Sequence, residues 1–257
     1  MTVSLTELLY EKIEFRPKNS RYCVAVVVLN EGERLKEQLQ RMQPYATVAD
    51  IIVSDGRSSD GSTDTEFLQS RDVRALLTTD QLGLATATRV AIDFALKQDY
   101  DGIITLDGNG KDGVEAIPDF IKALDEGFDL IQGSRFLRGG FHENTPLERY
   151  IGVRYVVAPL IALGGYWYTD PTNAFRGLSR RFLLDERLQP LRPIFVRFNL
   201  HHYLLLQAAR LGFRMKEIPV RRVYPSDGSV PTKITRLSTK LLFVRELLLA
   251  VMKRYDL

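Results

Sequence analysis

The sequence predicts an α/β fold: a mostly parallel, Rossmann-like sheet with helices on both faces. Three observations carry this. Near-continuous aliphatic and β-branched runs stand at 22–29, 48–53, 73–77 and 102–106, the pattern of strands buried on both sides. Helical apolar spacing follows each run. Polar loops rich in Gly, Ser and Asp follow the carboxyl ends of the runs. Strand, loop and helix in repeated succession require parallel strands joined by right-handed crossovers.

Taken in order, 5–15 reads as a short helix, ended by Pro17-Lys18-Asn19-Ser20, within an N-terminal extension over 1–20. The main domain is expected over 21–234. Its first helix, 32–42, places Leu35, Leu39 and Met42 on one face and stops before Pro44. Further helices are expected at 63–70, 83–97 and 116–127, and a strand at 130–135. After Gly140 the alternation ends. The segment 150–163 is apolar with arginine at its edges, 198–211 reads as a helix and 215–223 as a strand. A long amphipathic helix, 235–257, closes the chain.

The chain of 257 residues is 45% apolar and 26% charged, which supports a full core and excludes disordered and collagen-like classes. Its single cysteine, Cys23, lies in an apolar run, so no internal disulfide forms and a reducing compartment fits. No signal peptide or membrane-length apolar run is present, so a cytoplasmic protein is expected, at most peripheral at the inner face of the membrane. From Arg210 onward, 11 basic residues face 4 acidic ones, which points to anionic partners.

The first strand ends in Leu29-Asn30-Glu31 and carries no glycine-rich phosphate loop, which argues against a dinucleotide oxidoreductase or a P-loop kinase. The second ends in Ser54-Asp55-Gly56. A carboxylate there can accept from a nucleobase or a ribose, and it reads equally as a turn residue capping the next helix. Asp107, in Leu106-Asp107-Gly108-Asn109, can hold a hard divalent cation that bridges a diphosphate, and it reads equally as part of a surface turn. Lys111 close by can supply positive charge directly. Arg135, Arg149, Arg154, Arg176 and Arg222 sit in polar or loop settings and can clamp phosphate bidentately. Asp170 follows Tyr166-Trp167-Tyr168 and precedes Pro171; beside aromatics it can serve as a general base, or it closes an Asx turn. His201 and His202 lie in an apolar helix and read as packed histidines.

Six blocks in order resemble the family-two inverting glycosyltransferases of GT-A fold, the dolichyl- and polyprenyl-phosphate mannosyl- and glucosyltransferases above all, over roughly 22–235. Val27-Val28-Leu29-Asn30-Glu31 resembles the family's P-x-Y-N-E, and Ser54 to Ser62 its D-D-G-S-x-D-G-T. Leu106-Asp107-Gly108-Asn109 stands at its D-x-D and Gly133-Ser134-Arg135 at its G-S-R. Asp170 to Arg176 resembles D-x-T-S-G-F-R, and Arg222-Val223-Tyr224 with Lys233 resembles R-x-Y-G-x-S-K.

The resemblance implies a nucleotide-sugar donor held by Asn30, Glu31 and Asp55, and a diphosphate anchored at Asp107 and Asn109, usually through Mg²⁺ or Mn²⁺. It implies phosphate contacts from Arg135, Arg149, Arg154, Arg176, Arg222 and Lys233, and places Asp170 beside the acceptor. Three positions depart from the pattern: Ser54 for the first Asp, Asn109 for the second Asp of D-x-D, and Lys111 near the usual third metal contact. Lys111 is therefore expected to replace part of the metal's charge. The acceptor is expected to be a polyprenyl phosphate, or a glycan or lipid hydroxyl with Asp170 as base. Nucleic acid is not expected as a partner. The closing helix suits a membrane surface, the core or a twin subunit in a homodimer. A sugar nucleotidyltransferase and a non-catalytic nucleotide-sugar-binding protein are the alternative readings.

Overall fold

The computed structural model describes residues 8–81, 83–227, 230 and 236–257. Lys233 therefore lies outside the described residues.

The strands are β1 (Glu11–Glu14), β2 (Tyr22–Val28), β3 (Asp50–Asp55), β4 (Val73–Thr78), β5 (Gly102–Asp107), β6 (Leu130–Ser134), β7 (Phe141–Glu143), β8 (Arg176–Ser179), β9 (Met215–Pro219) and β10 (Arg221–Val223). The helices are α1 (Glu33–Met42), α2 (Thr65–Ser70), α3 (Leu84–Lys97), α4 (Ile117–Asp125), α5 (Leu147–Ile151), α6 (Ala158–Ala162), α7 (Arg180–Leu183), α8 (Asn199–Arg210) and α9 (Leu237–Val251).

Eight strands form one sheet in the order β1-β4-β3-β2-β5-β8-β6-β9. β4, β3, β2 and β5 run parallel, as the buried runs predict. Every residue of β2 and β3 is buried. Two apolar clusters, one on each face of the sheet, form the core. α1 turns Leu35, Leu39 and Met42 toward one of them, as its spacing requires.

Three elements differ from expectation. The described part of the expected N-terminal helix, Glu11–Glu14, is instead an exposed edge strand antiparallel to β4. The peptide groups on the open edge of β4 need partners, and tertiary pairing outweighs weak local propensity. β8 was not anticipated. It inserts antiparallel between β5 and β6, and its four residues, Arg-Gly-Leu-Ser, carry no strand-like period. The expected strand over 215–223 divides at Val220: β9 extends the main sheet beside β6, and β10 joins β7 in a separate parallel pair.

The order β4-β3-β2-β5 reverses the direction of chain progression between β2 and β5. At such a switch point the loops leaving the strand ends diverge and open a crevice. Asn30, Glu31 and Asp107 all stand at that edge.

Candidate active site

A cavity of about 320 Å³ lies at the switch point, within the range of small-ligand sites. The loops after β2 and β3 bound one end through Glu31 and Gly56. Asp107, Asn109 and Lys111 also line it, and residues of α3 and α8 with Phe243 of α9 close it. Gly83 permits that closure: at φ +124 it brings the start of α3 against Val196, where a Cβ would stand 2.0 Å from the carbonyl oxygen.

The two loops at the first end are tied together by short polar side chains. Asn30, in the left-handed region at φ 53, accepts from Ser59 N at 2.8 Å through Oδ1, and its own N–H donates to Ser58 Oγ. Asp60 accepts from Gly32 N at 2.8 Å and from the Ser62 hydroxyl. Asp55 accepts from Ser58 N, Ser58 Oγ and Thr63 Oγ1. Its carboxylate is buried and does not line the cavity, and these three bonds are those of its turn-forming reading. Glu31 does face the cavity.

Asp107 is 24% exposed and Arg222 reaches its Oδ2 at 3.5 Å. Asn109 donates to the same oxygen at 3.1 Å. Burial opposes ionisation of Asp107, but Arg222 and Lys111 hold its carboxyl below the ordinary range. Arg222 also donates to Asn173 Oδ1 at 2.9 Å and to the fully buried Asp112. Lys111 is buried, and that burial with the neighbouring Arg222 pushes its ammonium down to about 8. Its Nζ lies 5.0 Å above the ring of Tyr224.

Tyr224 gathers the cations. Arg135 Nη1 and Arg149 Nη1 each donate to its hydroxyl at 3.4 Å. Burial raises the phenol, yet Arg222, Arg135, Arg149 and Lys111 together bring it down to about 7. The sequence offered Tyr224 only as a motif letter, and Asp112 not at all. Their partners come from distant segments, so no local spacing marks them.

Asp107, Asn109, Lys111, Arg149, Arg176 and Arg222 thus share one cavity, while Asp55, Arg135, Asp170, Arg154 and Asn30 do not line it. Asp170 is a correction. Its carboxylate is wholly buried and held by Arg135, Nε to Oδ2 at 2.6 Å and Nη2 to Oδ1 at 3.2 Å. Both carboxylate oxygens are engaged by the guanidinium inside the protein, so the pair ties the loop after β6 to the loop before β8. Arg154 lies over the Phe136 ring at 5.4 Å. Arg176 donates to Gln132 Oε1 at 2.5 Å and to the Pro171 carbonyl at 2.8 Å.

His201 and His202 are packed, as their apolar helix suggests, but both also form part of the cavity wall. Among the described residues no group of three or more His, Cys, Asp or Glu side chains is placed to hold a metal.

A sheet with this switch point, a strand-end carboxylate and a converging set of cations defines an α/β protein with a site for a phosphorylated ligand at the strand ends. No family model matches the chain. Curated relatives are specific. Undecaprenyl-phosphate mannosyltransferase of Micrococcus luteus is 28% identical over 207 residues, covering 78% of this chain and 82% of the relative. Polyprenol monophosphomannose synthase of Mycolicibacterium smegmatis is 27% identical over 204 residues, covering 78% and 76%. Among solved structures, glucosyl-3-phosphoglycerate synthase of Mycobacterium tuberculosis, in complex with Mn²⁺, UDP and glucosyl-3-phosphoglycerate, superposes with TM-score 0.63 at 16% identity, over 91% of this chain and 79% of the other. The chain is a glycosyltransferase, similar in sequence to polyprenyl-phosphate mannosyltransferases and in fold to a GT-A synthase.

Proposed function

We propose that this enzyme transfers a sugar from a nucleoside-diphosphate sugar to a polyprenyl phosphate. One observation supports this above others: Asp107, Lys111, Arg149, Arg176 and Arg222 border a single switch-point cavity. Cations grouped there suit a diphosphate leaving group and an anionic acceptor together. An acceptor phosphate oxygen forms the new bond to the anomeric carbon. The bond from that carbon to the donor phosphate breaks, and the nucleoside diphosphate leaves with the electron pair.

A phosphate acceptor arrives ionised and needs no base. A hydroxyl acceptor needs one, and the candidates fit poorly. Asp170 is locked to Arg135, and burial depresses both cavity histidines to about 3. The arrangement therefore favours the phosphate.

The comparison synthase was solved with Mn²⁺ and UDP. Here Asp107 and Asn109 would hold a divalent cation, which would neutralise charge developing on the leaving diphosphate. One carboxylate and one amide are a weak donor set, and two fixed cations adjoin it. Lys111 thus supplies part of the charge that a metal supplies elsewhere.

No helix among the described residues is long and apolar enough to cross a membrane. α9 packs Leu247 and Ala250 against the core and leaves Leu237, Leu241 and Leu248 exposed. The adjoining α5 exposes Leu147 and Ile151, and Lys240 of α9 pairs with Glu148 of α5 at 2.8 Å. This shared face, with lysine and arginine along it, suits the surface of an anionic membrane and a peripheral location there.

The test is calorimetric titration with UDP-, GDP-, CMP- and dTDP-sugars, with and without EDTA, followed by transfer assays. Radiolabelled sugar should pass to polyprenyl phosphate and not to the unphosphorylated polyprenol. Transfer to the alcohol alone would overturn the acceptor assignment, and donor binding without any transfer would overturn catalysis.

A further inference from the structure

The inward face of α1 carries one polar residue. Its buried positions are Leu35, Gln38, Leu39 and Met42, and Gln38 is 0% exposed. A carboxamide at a core position needs partners for its donor and its acceptor. Gln38 finds both on one loop: Nε2 donates to the Asp107 carbonyl at 2.9 Å, and Oε1 accepts from Gly110 N at 2.8 Å. A four-residue turn over 107–110 would close by a direct bond between those two backbone groups. The Gln38 side chain stands between them and holds the turn open. One turn further along α1, Arg41 donates to the Gly110 carbonyl at 2.9 Å and to the Asp112 carbonyl at 3.4 Å.

The clamped loop carries Asp107, Asn109 and Lys111, and all three line the cavity. Their arrangement depends on the loop's shape. Asn109 donates to Asp107 Oδ2 at 3.1 Å, and its Oδ1 accepts from Lys111 N at 3.4 Å. α1 begins two residues after Glu31, which also lines the cavity. One helix therefore sets the spacing between Glu31 and the 107–111 loop. An amide inside an apolar stripe gives up the hydrophobic stabilisation that leucine or methionine would supply there. Such conflicts between local pattern and chosen residue gather at functional sites.

We propose that Gln38 is a positioning residue for the donor diphosphate: its carboxamide keeps the 107–111 loop in the shape that sets Asp107, Asn109 and Lys111 at the cavity. Gln38 does not itself line the cavity, so it acts through the loop. The role rests on the donor reading proposed above and adds a residue that reading does not contain. Methionine has nearly the length and volume of glutamine, so Gln38→Met removes both bonds with little change in packing. The Asp107 carbonyl and Gly110 N–H are then left to bond each other, and the turn closes. A carboxylate, an amide and an ammonium moved together by a fraction of an ångström grip a diphosphate less well. Contacts to base and ribose, made from other loops, stay as they are.

Full-length parent and Gln38→Met are titrated by calorimetry with UDP against UMP, and with GDP against GMP. The variant should bind the diphosphate about tenfold more weakly, the size of one lost hydrogen bond to a charged group. It should bind the monophosphate as the parent does. Gln38→Leu, which fills the same apolar stripe, should repeat the result, and thermal midpoints establish that the variants fold. In the parent, hydrogen exchange at the Gly110 amide should be slow without any ligand, since its acceptor is a buried side chain. Fast exchange there would overturn the clamp whatever the variants do. Equal losses for monophosphate and diphosphate, or a loss with neither, would overturn the positioning role and leave the donor reading standing. Failure of every nucleotide to bind the parent would overturn both.

Discussion

Arg135 and Asp170, 35 residues apart, form a two-point ion pair with both side chains withdrawn from solvent. The pair joins the end of β6 to the loop before β8 and sets Arg135 where it also reaches Tyr224.

Removing one member leaves a buried, uncompensated charge. Asp170→Ala should destabilise the protein by roughly 3–5 kcal/mol, and Arg135→Met combined with Asp170→Leu should cost markedly less. Urea unfolding of the two variants beside the parent protein measures this. A double variant as unstable as the single one would show that the pair is not the source.

Tyr224 should titrate near neutrality. Its phenol stands at about 7, against 10.0 ordinarily, because four cations outweigh burial. Between those values the unfolded chain binds a proton that the folded chain does not, so stability rises with pH across the window. The gain is complete above about 10 and lost as pH falls through about 7. The tyrosinate near-ultraviolet band should appear accordingly. Tyr224→Phe should abolish both the band and the slope.

Lys111→Met should weaken donor binding in EDTA by about tenfold, equivalent to roughly 1.4 kcal/mol. With Mn²⁺ present the loss should shrink, and Lys111→Arg should retain most of the affinity. Calorimetry reads all three. Equal losses with and without metal would mean that Lys111 and a cation do not share the charge.

Leu237→Asp together with Leu241→Asp places charge on the exposed face of α9. Co-sedimentation with anionic vesicles should fall at least tenfold, while nucleotide affinity stays unchanged. Undiminished sedimentation would remove α9 from the membrane contact.

Much of the scaffold was legible. The buried runs at β2, β3, β4 and β5 and the apolar stripe of α1 write their structure in local periodicity. Asp107 and Lys111 were legible as well, since a carboxylate leaving a buried strand in a parallel sheet stands at the ligand edge. β1 and β8 were not, because short strands are defined by the edge or gap they fill.

The sequence by itself determined the fold class and the order of the strand-end loops, because continuous apolar runs and a helical period near four are properties of the chain alone. Which polar groups face one another only the tertiary structure decided. Asp55 turned to Ser58 and Thr63, Asp170 to Arg135, and Arg222 to Asp112. Carboxylates at strand ends look alike in sequence. Whether each is left for a ligand depends on which donor, from a remote segment, the folded chain brings within 3 Å or so.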